Sequence, residues 1–436
     1  MMQRGLLLTV LLIPWSLGAQ GVASGGARPI SLDEAIRLAQ LNAPAAVQAR
    51  GQLRTTDAAI RSAKGSYIPT LNLNYGSNKQ GGETFFQGQL VPFRGDPWNF
   101  SRSVSSNLEL FDGGRRLFQL RSARASQTAA ESNERLQSFR VALDVKQQYF
   151  NVLAARESRE SAAAQLAQSE EQLNSANARV RAGAATVSDS LRSIIQVGNA
   201  RLAVLTAENS LRVSNANLTR LTGTPFEVTA EQSADSLMPR TVIDSADVAG
   251  AVESAPSVMQ AKADVASASA SLRASKTPYL PTLNMSYNLS GSRTDKSFDI
   301  TGGQYASANA LRFTLSYPVF NGFTREENIV RSSVAERNAE AQLRDSRLAV
   351  QQQITQFLGS LRLAQERVTI QVASVDAANE DLRVQNQRYA LGSSTLLDVL
   401  TSQAQLNSSR SALIQARYDA RLAKAQIEAL IGRELP

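Results

Sequence analysis

The chain of 436 residues repeats itself at an interval of just over two hundred residues, and this duplication is the strongest constraint on its fold. At an offset of 212 residues, LNAPAAVQAR at 41–50 matches ESAPSVMQAK at 253–262, and GSYIPTLNLNYG at 65–76 matches TPYLPTLNMSYN at 277–288. At an offset of 209 residues, LFDGG at 110–114 matches VFNGF at 319–323, and RLTGTP at 220–225 matches ALIGRE at 429–434. Ordered matches at so constant a spacing indicate one structural unit copied twice. We therefore expect a first repeat at 24–225, a linker at 226–246 and a second repeat at 247–436.

Each repeat is predicted to begin with helix. The segment SLDE at 31–34 has the pattern of a capping box, in which Ser31 caps the backbone and Glu34 reaches back to it. Helix is expected from there to about Lys64, with an interruption near Pro44, because proline lacks an amide hydrogen and clashes with the preceding turn. The corresponding helix of the second repeat is predicted from about Asp247 to Lys276.

Two strands follow in each repeat. Apolar and polar residues alternate in Thr282–Leu289 and Leu311–Val319, and again around Leu71–Tyr75 and Val104–Leu110. This period of two predicts strands with one apolar face. An ordinary soluble sandwich would also bury such a face, but we identify only these four strands and no further β segment for a second sheet. Aromatic residues cluster toward the strand ends, as at membrane interfaces: Tyr67, Phe111, Tyr279 and Phe320.

A very long helix is predicted after the strands of each repeat, over Gly114 to Ala182 and Asn321 to Leu391. About 70 residues at 1.5 Å per residue extend over on the order of 100 Å. Apolar residues recur at steps of three and four, as in a coiled coil. A second stripe on another face consists of Val141, Val145, Tyr149 and Val152. Two stripes indicate neighbours on both sides, as in a layer of helices closed into a tube. Shorter helices, predicted at 186–222 and 394–431, return along roughly half of each long helix.

The composition excludes several classes of site. The chain has no histidine and no cysteine, which rules out a Ser-His-Asp triad, a cysteine nucleophile, an ordinary zinc site and disulfides. No phosphate-binding glycine motif stands out either. We therefore expect no enzyme activity, no metal site and no cofactor. The net charge of +8 is spread along helices between acidic residues, which indicates a solvated surface and no nucleic-acid partner.

The N-terminus is typical of a secretory signal peptide. It has a basic residue at Arg4, an apolar segment from Leu6 to Leu17 and small residues after it. We predict a signal peptide at 1–19, with cleavage after Ala19 or Ala23. A membrane anchor is the alternative, but the apolar run is too short to cross a bilayer of about 30 Å. No later apolar run reaches about 20 residues, so any membrane-spanning part of the exported chain must consist of strands.

Strands in lipid must close into a barrel, because open edges leave backbone groups without partners. Four strands cannot close, and the smallest natural barrels have eight. Two chains would give eight strands, whose interior is filled by side chains, whereas three would give twelve strands and twelve helical columns. If the protein is a conduit, the geometry therefore favours a homotrimer.

The signal peptide, the tandem repeat, and the segments SLDEAIRLAQLNAP, PTLNL, RAGAATVSD and YALGSSTLLD together resemble TolC-like outer-membrane efflux proteins, the outer membrane factor family. The resemblance covers nearly the whole mature chain. It implies a mainly α fold with a small β part. In that fold, tandem-repeat protomers of long coiled-coil helices and four transmembrane β-strands form a trimeric twelve-stranded β-barrel, continuous with a periplasmic α-helical barrel.

The resemblance also implies a function. Family members are outer-membrane channels of tripartite efflux or type I secretion systems in Gram-negative type bacteria, and they extend into the periplasm. They contact outer-membrane lipid, a periplasmic adaptor (membrane fusion) protein and an inner-membrane pump, and they export small toxic molecules, as in multidrug efflux, or proteins. A periplasmic coiled-coil scaffold or adaptor protein without a membrane pore is the alternative, and it would be recovered without detergent.

By resemblance, the two glycine turns form the periplasmic tip where the adaptor docks and the aperture closes. Gly183 and Gly392 permit the left-handed backbone that reverses each helix. Asp398 matches an acidic ring that would favour cations at the aperture. Tyr389 and Asp189 match positions that hold the closed state by hydrogen bonds between helix pairs. Capping of a helix N-terminus is the alternative for both aspartates, less so for Asp398, which we expect to lie deeper in its helix.

The sequence departs from the family pattern at two positions near this tip. Ser394 stands where a relative carries an arginine of the closed-state lock, and Thr401 stands where a relative carries a second acidic ring. These differences predict a less acidic gate, and a closed state that is stabilised by other contacts. Nearby arginines either contact an adaptor or are solvated, and we favour solvation: Arg179, Arg181 and Arg388.

Overall fold

The computed structural model describes residues 27–79, 81–92, 98–231, 250–300, 302–433 and 435. The predicted signal peptide and residues 232–246 of the predicted linker lie outside the described residues. Within the described part, the sequence of helix, strands, long helix and shorter helix occurs twice. The helices are α1 (Leu32–Asn42), α2 (Pro44–Gly65), α3 (Arg115–Arg181), α4 (Val187–Thr222), α5 (Pro256–Lys276), α6 (Thr324–Ala390) and α7 (Leu396–Ile431).

The predicted helix boundaries are close to those observed. Ser31 is the N-cap of α1, and its hydroxyl accepts a hydrogen bond of 3.2 Å from the amide of Glu34. Pro44 is the first residue of α2 and separates it from α1. In the second repeat, the predicted helix start at Asp247 lies outside the described residues; Gly250 is helical, Ala251–Ser254 form a 3-10 turn, and α5 starts at Pro256. A proline at the first helical position needs no amide partner, which fits both starts.

The main sheet contains the four predicted strands. They are β2 (Thr70–Lys79), β5 (Trp98–Phe111), β7 (Thr282–Asp295) and β8 (Ala306–Ser316), paired antiparallel in the order β2-β5-β7-β8. In this register Leu73 lies opposite Val104, which lies opposite Leu289. Because residues opposite each other point to the same side, the large apolar side chains of the four strands gather on one face of the sheet. We call it the apolar sheet face: Leu71, Leu73, Val104, Leu283, Met285, Leu289, Phe313 and Leu315.

The expectation of no further β segments was wrong. A hairpin of β3 (Glu83–Phe86) and β4 (Gln89–Pro92) follows β2, and β1 (Arg28–Ile30) pairs in parallel with β6 (Val228–Ala230). These strands have three or four residues each, too few for a period of two to be recognised.

The helices form a layer in which α3 is central. Helices α2 and α4 pack along one side of α3, and α5 and α7 pack along its other side. Helix α6 packs against α5 and α7 at the far edge of the layer. Helix α3 therefore has two shorter helices on each side, and α6 has two on one side; both long helices contain 67 residues. No helix of the described residues is both long enough and apolar enough to cross a membrane.

The apolar core lies midway along the helices. The second predicted stripe of α3 is buried against β1, β6 and α4, and it includes Val145 and Val152, neither of which is exposed. The Tyr149 hydroxyl lies 3.1 Å from the carbonyl oxygen of Ile30 and 3.0 Å from that of Glu231. It therefore links the ends of β1 and β6 to α3. The second repeat has a corresponding cluster around Val258, Ile354 and Ile427, in which Ile354 lies midway along α6.

Candidate functional site at the helical tip

Two tight turns join the long helices to the shorter ones at the end farthest from the sheet. In the first, the amide of Gly183 donates to the carbonyl of Val180 (3.0 Å) and that of Ala184 to Arg179 (2.8 Å). In the second, Gly392 donates to Tyr389 (3.1 Å) and Ser393 to Arg388 (2.8 Å). This pair of bonds is the Schellman motif.

The motif requires a left-handed residue, and both glycines have φ of +74°. Gly183 and Gly392 therefore make the helix reversals possible, as the sequence predicted. The glycines are needed for their backbone conformation and not for space, because a Cβ at either position would meet nothing within 4 Å.

A capping box follows each turn. The Asp189 carboxylate accepts from the Thr186 amide (3.1 Å) and hydroxyl (2.9 Å), and Asp398 accepts from the Thr395 amide (2.8 Å) and hydroxyl (2.8 Å). Both aspartates occupy the third helical position. The expectation that Asp398 lies deeper in its helix was therefore wrong, because α7 begins at Leu396 and not at 394.

Capping uses one carboxylate oxygen of each aspartate. Asp398 is exposed, and its Oδ2 takes both hydrogen bonds from Thr395. The hydrogen bonds from the Thr395 backbone and side chain, with a smaller effect of Arg388, lower the pKa of Asp398 below its ordinary value of 3.8. The side chain is therefore an anion at neutral pH. Capping leaves its second oxygen available at the surface of the turn.

The gate candidate Tyr389 is held by contacts from both repeats. Its ring packs on an apolar cluster that contains Leu382, Val399 and Leu406. The guanidinium of Arg179 lies over the same ring, 4.7 Å from its centroid, and its Nη1 is 3.4 Å from the Tyr389 carbonyl oxygen. Arg179 is thus a contact between repeats, which corrects our preference for a solvated side chain.

The Arg179–Tyr389 contact is the last of a series along α3. Lys146 Nζ lies 2.6 Å from Glu428, the Tyr418 hydroxyl donates to Glu157 (2.6 Å), and Gln403 donates to Gln168 (2.9 Å). The four α3 members are Lys146, Glu157, Gln168 and Arg179, which recur every eleven residues. Eleven residues are almost three whole turns, so these side chains lie on one face of α3. We call the four pairs the inter-repeat ladder.

The sequence analysis did not predict the inter-repeat ladder, although the regular spacing of its α3 members is present in the sequence. Its members are polar, and an apolar period was the signal that we sought on α3. The partners have no matching regular interval: Glu428, Tyr418 and Gln403 lie on α7 at unequal spacing, and Tyr389 lies on α6. A search for polar residues at eleven-residue intervals on α3 would have located one side of the ladder.

The two positions that depart from the family pattern bond to their own backbone. The Ser394 hydroxyl donates to the carbonyl of Gln385 (3.4 Å), and that of Thr401 donates to Leu397 (2.9 Å). Neither side chain adds charge at the tip. Across the described residues, no group of three or more acidic, histidine or cysteine side chains could hold a metal ion.

Comparison with known proteins gives consistent matches over both repeats. The family model described as "Outer membrane efflux protein" matches residues 35–224 and 249–433. The pyoverdine export outer membrane protein OpmQ of Pseudomonas aeruginosa is 25% identical over 407 residues, covering 92% of this chain and 83% of that protein.

Solved structures show the same fold. A crystal structure of CusC has a TM-score of 0.79 at 15% identity and covers 93% of this chain and 94% of its own. The open state of the Neisseria gonorrhoeae MtrE outer membrane channel has a TM-score of 0.74 at 18% identity, with 92% and 89% covered.

Proposed function

Since the chain belongs to the outer membrane efflux protein family, we propose that three copies form one export channel, which receives its cargo through a periplasmic adaptor protein and an inner-membrane pump. The channel lies in the outer membrane and extends into the periplasm. Its cargo is small toxic molecules or proteins. The same family membership argues against a coiled-coil scaffold without a pore.

The observation that carries the proposal is that both layers of the chain end in unpaired edges on the same two sides. In the sheet, β2 and β8 each have one neighbour among the described strands. In the helical layer, α4 with α2 forms one edge and α6 forms the other. First-repeat elements therefore form one side of the molecule and last-repeat elements form the other, so one copy can continue into the next.

Exposed apolar side chains on the two helical edges support this closure. On α4 they are Leu191, Ile194, Ile195, Leu202, Leu205 and Val213, and on α6 they are Val330, Val334, Leu348, Leu363 and Ile370. Large apolar residues in such number on a long helix indicate a covered surface. Three copies would give twelve strands, enough to enclose a channel, and the apolar sheet face would contact lipid.

At the tip, threefold symmetry would bring three Asp398 carboxylates together. We propose that this ring, with Asp189 and Tyr389, forms the periplasmic gate, and that the turns at Gly183 and Gly392 meet the adaptor. One carboxylate oxygen of Asp398 caps α7, and the other remains available to form the ring. The repeats at 24–225 and 247–436 and the linker at 226–246 are proposed as the units that assemble.

The assembly is tested by extracting the protein from outer membranes and measuring its mass in detergent and its conductance in planar bilayers. We expect detergent-dependent extraction, a trimer, and cation-selective channels. Asp398→Asn should reduce cation selectivity, whereas the charge-conserving Asp398→Glu should retain it. Recovery of a monomer from the soluble periplasmic fraction would overturn the channel, and unchanged selectivity in Asp398→Asn would overturn only the ring.

A further inference from the structure

The loop after β7 folds back over the apolar sheet face at the end of the sheet farthest from the helices. The Tyr75 hydroxyl lies 3.3 Å from the Ile300 carbonyl oxygen and 3.2 Å from the Tyr305 hydroxyl. Beneath the loop, Phe100 is 1% exposed and packs against Phe298, with ring centroids 5.8 Å apart. Phe298, Ile300 and Tyr305 of this loop thus lie on the side of the sheet that carries the apolar residues.

Two arginines lie within this surface. The guanidinium of Arg293 is 4.6 Å from the Phe100 ring centroid and 5.3 Å from that of Tyr305, and its Nη2 donates to the Asp299 carbonyl oxygen. Its buried Nε and Nη1 have no hydrogen-bond acceptor among the described residues. Arg293 therefore fastens the loop and keeps a positive charge inside it.

Arg102 is the exposed arginine of the pair. Its guanidinium lies over Tyr305, 4.2 Å from the ring centroid. Arg102 has no hydrogen bond or ion pair with any residue that the structure describes. Its side chain runs across Gly291, where a Cβ would lie 3.0 Å from Arg102 Nε and 3.3 Å from the Cβ of Tyr305. Gly291 and Tyr305 together form a surface that orients the Arg102 side chain, whose hydrogen-bond donors are unused.

Arg102 lies near the upper end of the apolar band, where its long side chain reaches the level of a lipid headgroup. Arg102 lies opposite Gly291, eight residues along β7 from Leu283 at the lower end of the apolar sheet face. Eight residues extend about 26 Å along a strand, or about 20 Å along the membrane normal at a tilt of ~40°. Apolar bands of outer-membrane strands are about 25 Å tall and end in aromatic girdles. Trp98 and Phe298, with ring centroids 4.7 Å apart, provide such aromatic residues beside the arginines.

We propose that Arg102, supported by Gly291 and Tyr305, binds the phosphate of an outer-leaflet lipid headgroup. The inference rests on the proposed position of the sheet in the outer membrane. A planar guanidinium binds phosphate oxygens through two parallel hydrogen bonds, and stacking on an aromatic ring holds it in place beforehand. The loop carboxylates accept backbone hydrogen bonds, Asp295 from Ser297 (3.3 Å) and Asp299 from Gly302 (3.1 Å).

The test uses the purified full-length trimer and bisphosphorylated lipid A as the probe. Retained lipid is counted by native mass spectrometry, and binding is titrated in nanodiscs of uncharged phosphatidylcholine doped with the probe. The matched control is Arg312→Gln, since Arg312 lies opposite Ser286 on the other face of the same sheet. We expect Arg102→Gln to weaken binding by about tenfold, the scale of a lost charge-assisted hydrogen bond, and Arg312→Gln to have no effect.

Two further variants separate charge from geometry. Arg102→Lys keeps the charge but loses the planar guanidinium. Gly291→Ala keeps Arg102 but places a Cβ 3.0 Å from its Nε, which displaces the side chain. Both variants should weaken binding by several-fold. Equal binding by wild type, Arg102→Gln and Arg312→Gln would overturn the proposal. So would equal binding of dephosphorylated lipid A, or tighter binding of inorganic phosphate alone, which would indicate a free-anion site. Bilayer conductance of Arg102→Gln should equal that of wild type, so loss of the channel itself would be recognised separately.

Discussion

Arg179 at the end of α3 stacks on Tyr389 at the end of α6, with the guanidinium 4.7 Å from the ring centroid. The contact joins the last turn of one long helix to the last turn of the other, next to both glycine turns. Separation of the two hairpins at the tip must break it before any other pair of the inter-repeat ladder. The contact therefore lies where a small change in energy would have the greatest effect on the proposed gate.

We expect Arg179→Gln to favour the open tip. An exposed cation–π contact contributes about 0.5–1 kcal/mol, so the ratio of open to closed channels should rise by about two- to fivefold in each subunit. Single-channel conductance and open probability in planar bilayers measure this ratio. The control is Arg181→Gln, two residues along the same helix end and outside the contact. If both variants behave like wild type, Arg179 does not hold the closed tip.

Replacing either turn glycine by alanine should destabilise the tip locally. Gly183→Ala and Gly392→Ala place a Cβ at φ of +74° without any clash, so the expected cost is the left-handed backbone alone, about 1–2 kcal/mol. Hydrogen exchange of amides in the two turns should become about five- to thirtyfold faster, since exchange reports local opening.

Gly198→Ala is the matched control, because Gly198 lies within α4 and also has open space around it. There alanine should be neutral or stabilising, by up to about 1 kcal/mol, since glycine is the poorer helix former. Faster exchange at the tip in Gly198→Ala as well would mean that the response reflects general loosening of α4.

Much of this fold is readable from the sequence, because local patterns produced it. The period of two located all four strands of the main sheet, and the change of hydrophobic period located the long helices. The site was readable only in part. Gly183 and Gly392 follow from backbone sterics, whereas the ladder depends on which residues of α7 lie beside Lys146 and Glu157, and no local pattern specifies that. Asp398 was placed too deep because a helix start cannot be fixed to within two residues without its cap.

Cation selectivity at Asp398 should persist well into the acid range. The hydrogen bonds from Thr395 depress the folded-state pKa below 3.8, so the carboxylate stays charged, and its capping contribution is complete above the unfolded value. Both charge and capping are lost as the pH falls through the folded pKa. We therefore expect equal selectivity at pH 7 and pH 5, with loss only below about pH 4. Measured reversal potentials that change between pH 7 and pH 5 would show that repulsion within the ring outweighs capping.

Lys146 and Glu428, the pair of the inter-repeat ladder farthest from the tip, should behave as a buried ion pair when either residue is replaced. Glu428 is nearly buried, with 8% of its side chain exposed, and it accepts from Lys146 (2.6 Å) and from the Leu435 amide (3.3 Å). Lys146→Met leaves this carboxylate without its cation, which should lower the free energy of unfolding by about 2–3 kcal/mol, given that Lys146 is one-fifth exposed. The double variant Lys146→Met/Glu428→Leu should recover most of this loss, because two apolar side chains can replace a buried pair at little cost. Denaturant unfolding in detergent gives the three values of a double-mutant cycle. Additive losses from Lys146→Met and Glu428→Leu would contradict the coupling between these two side chains.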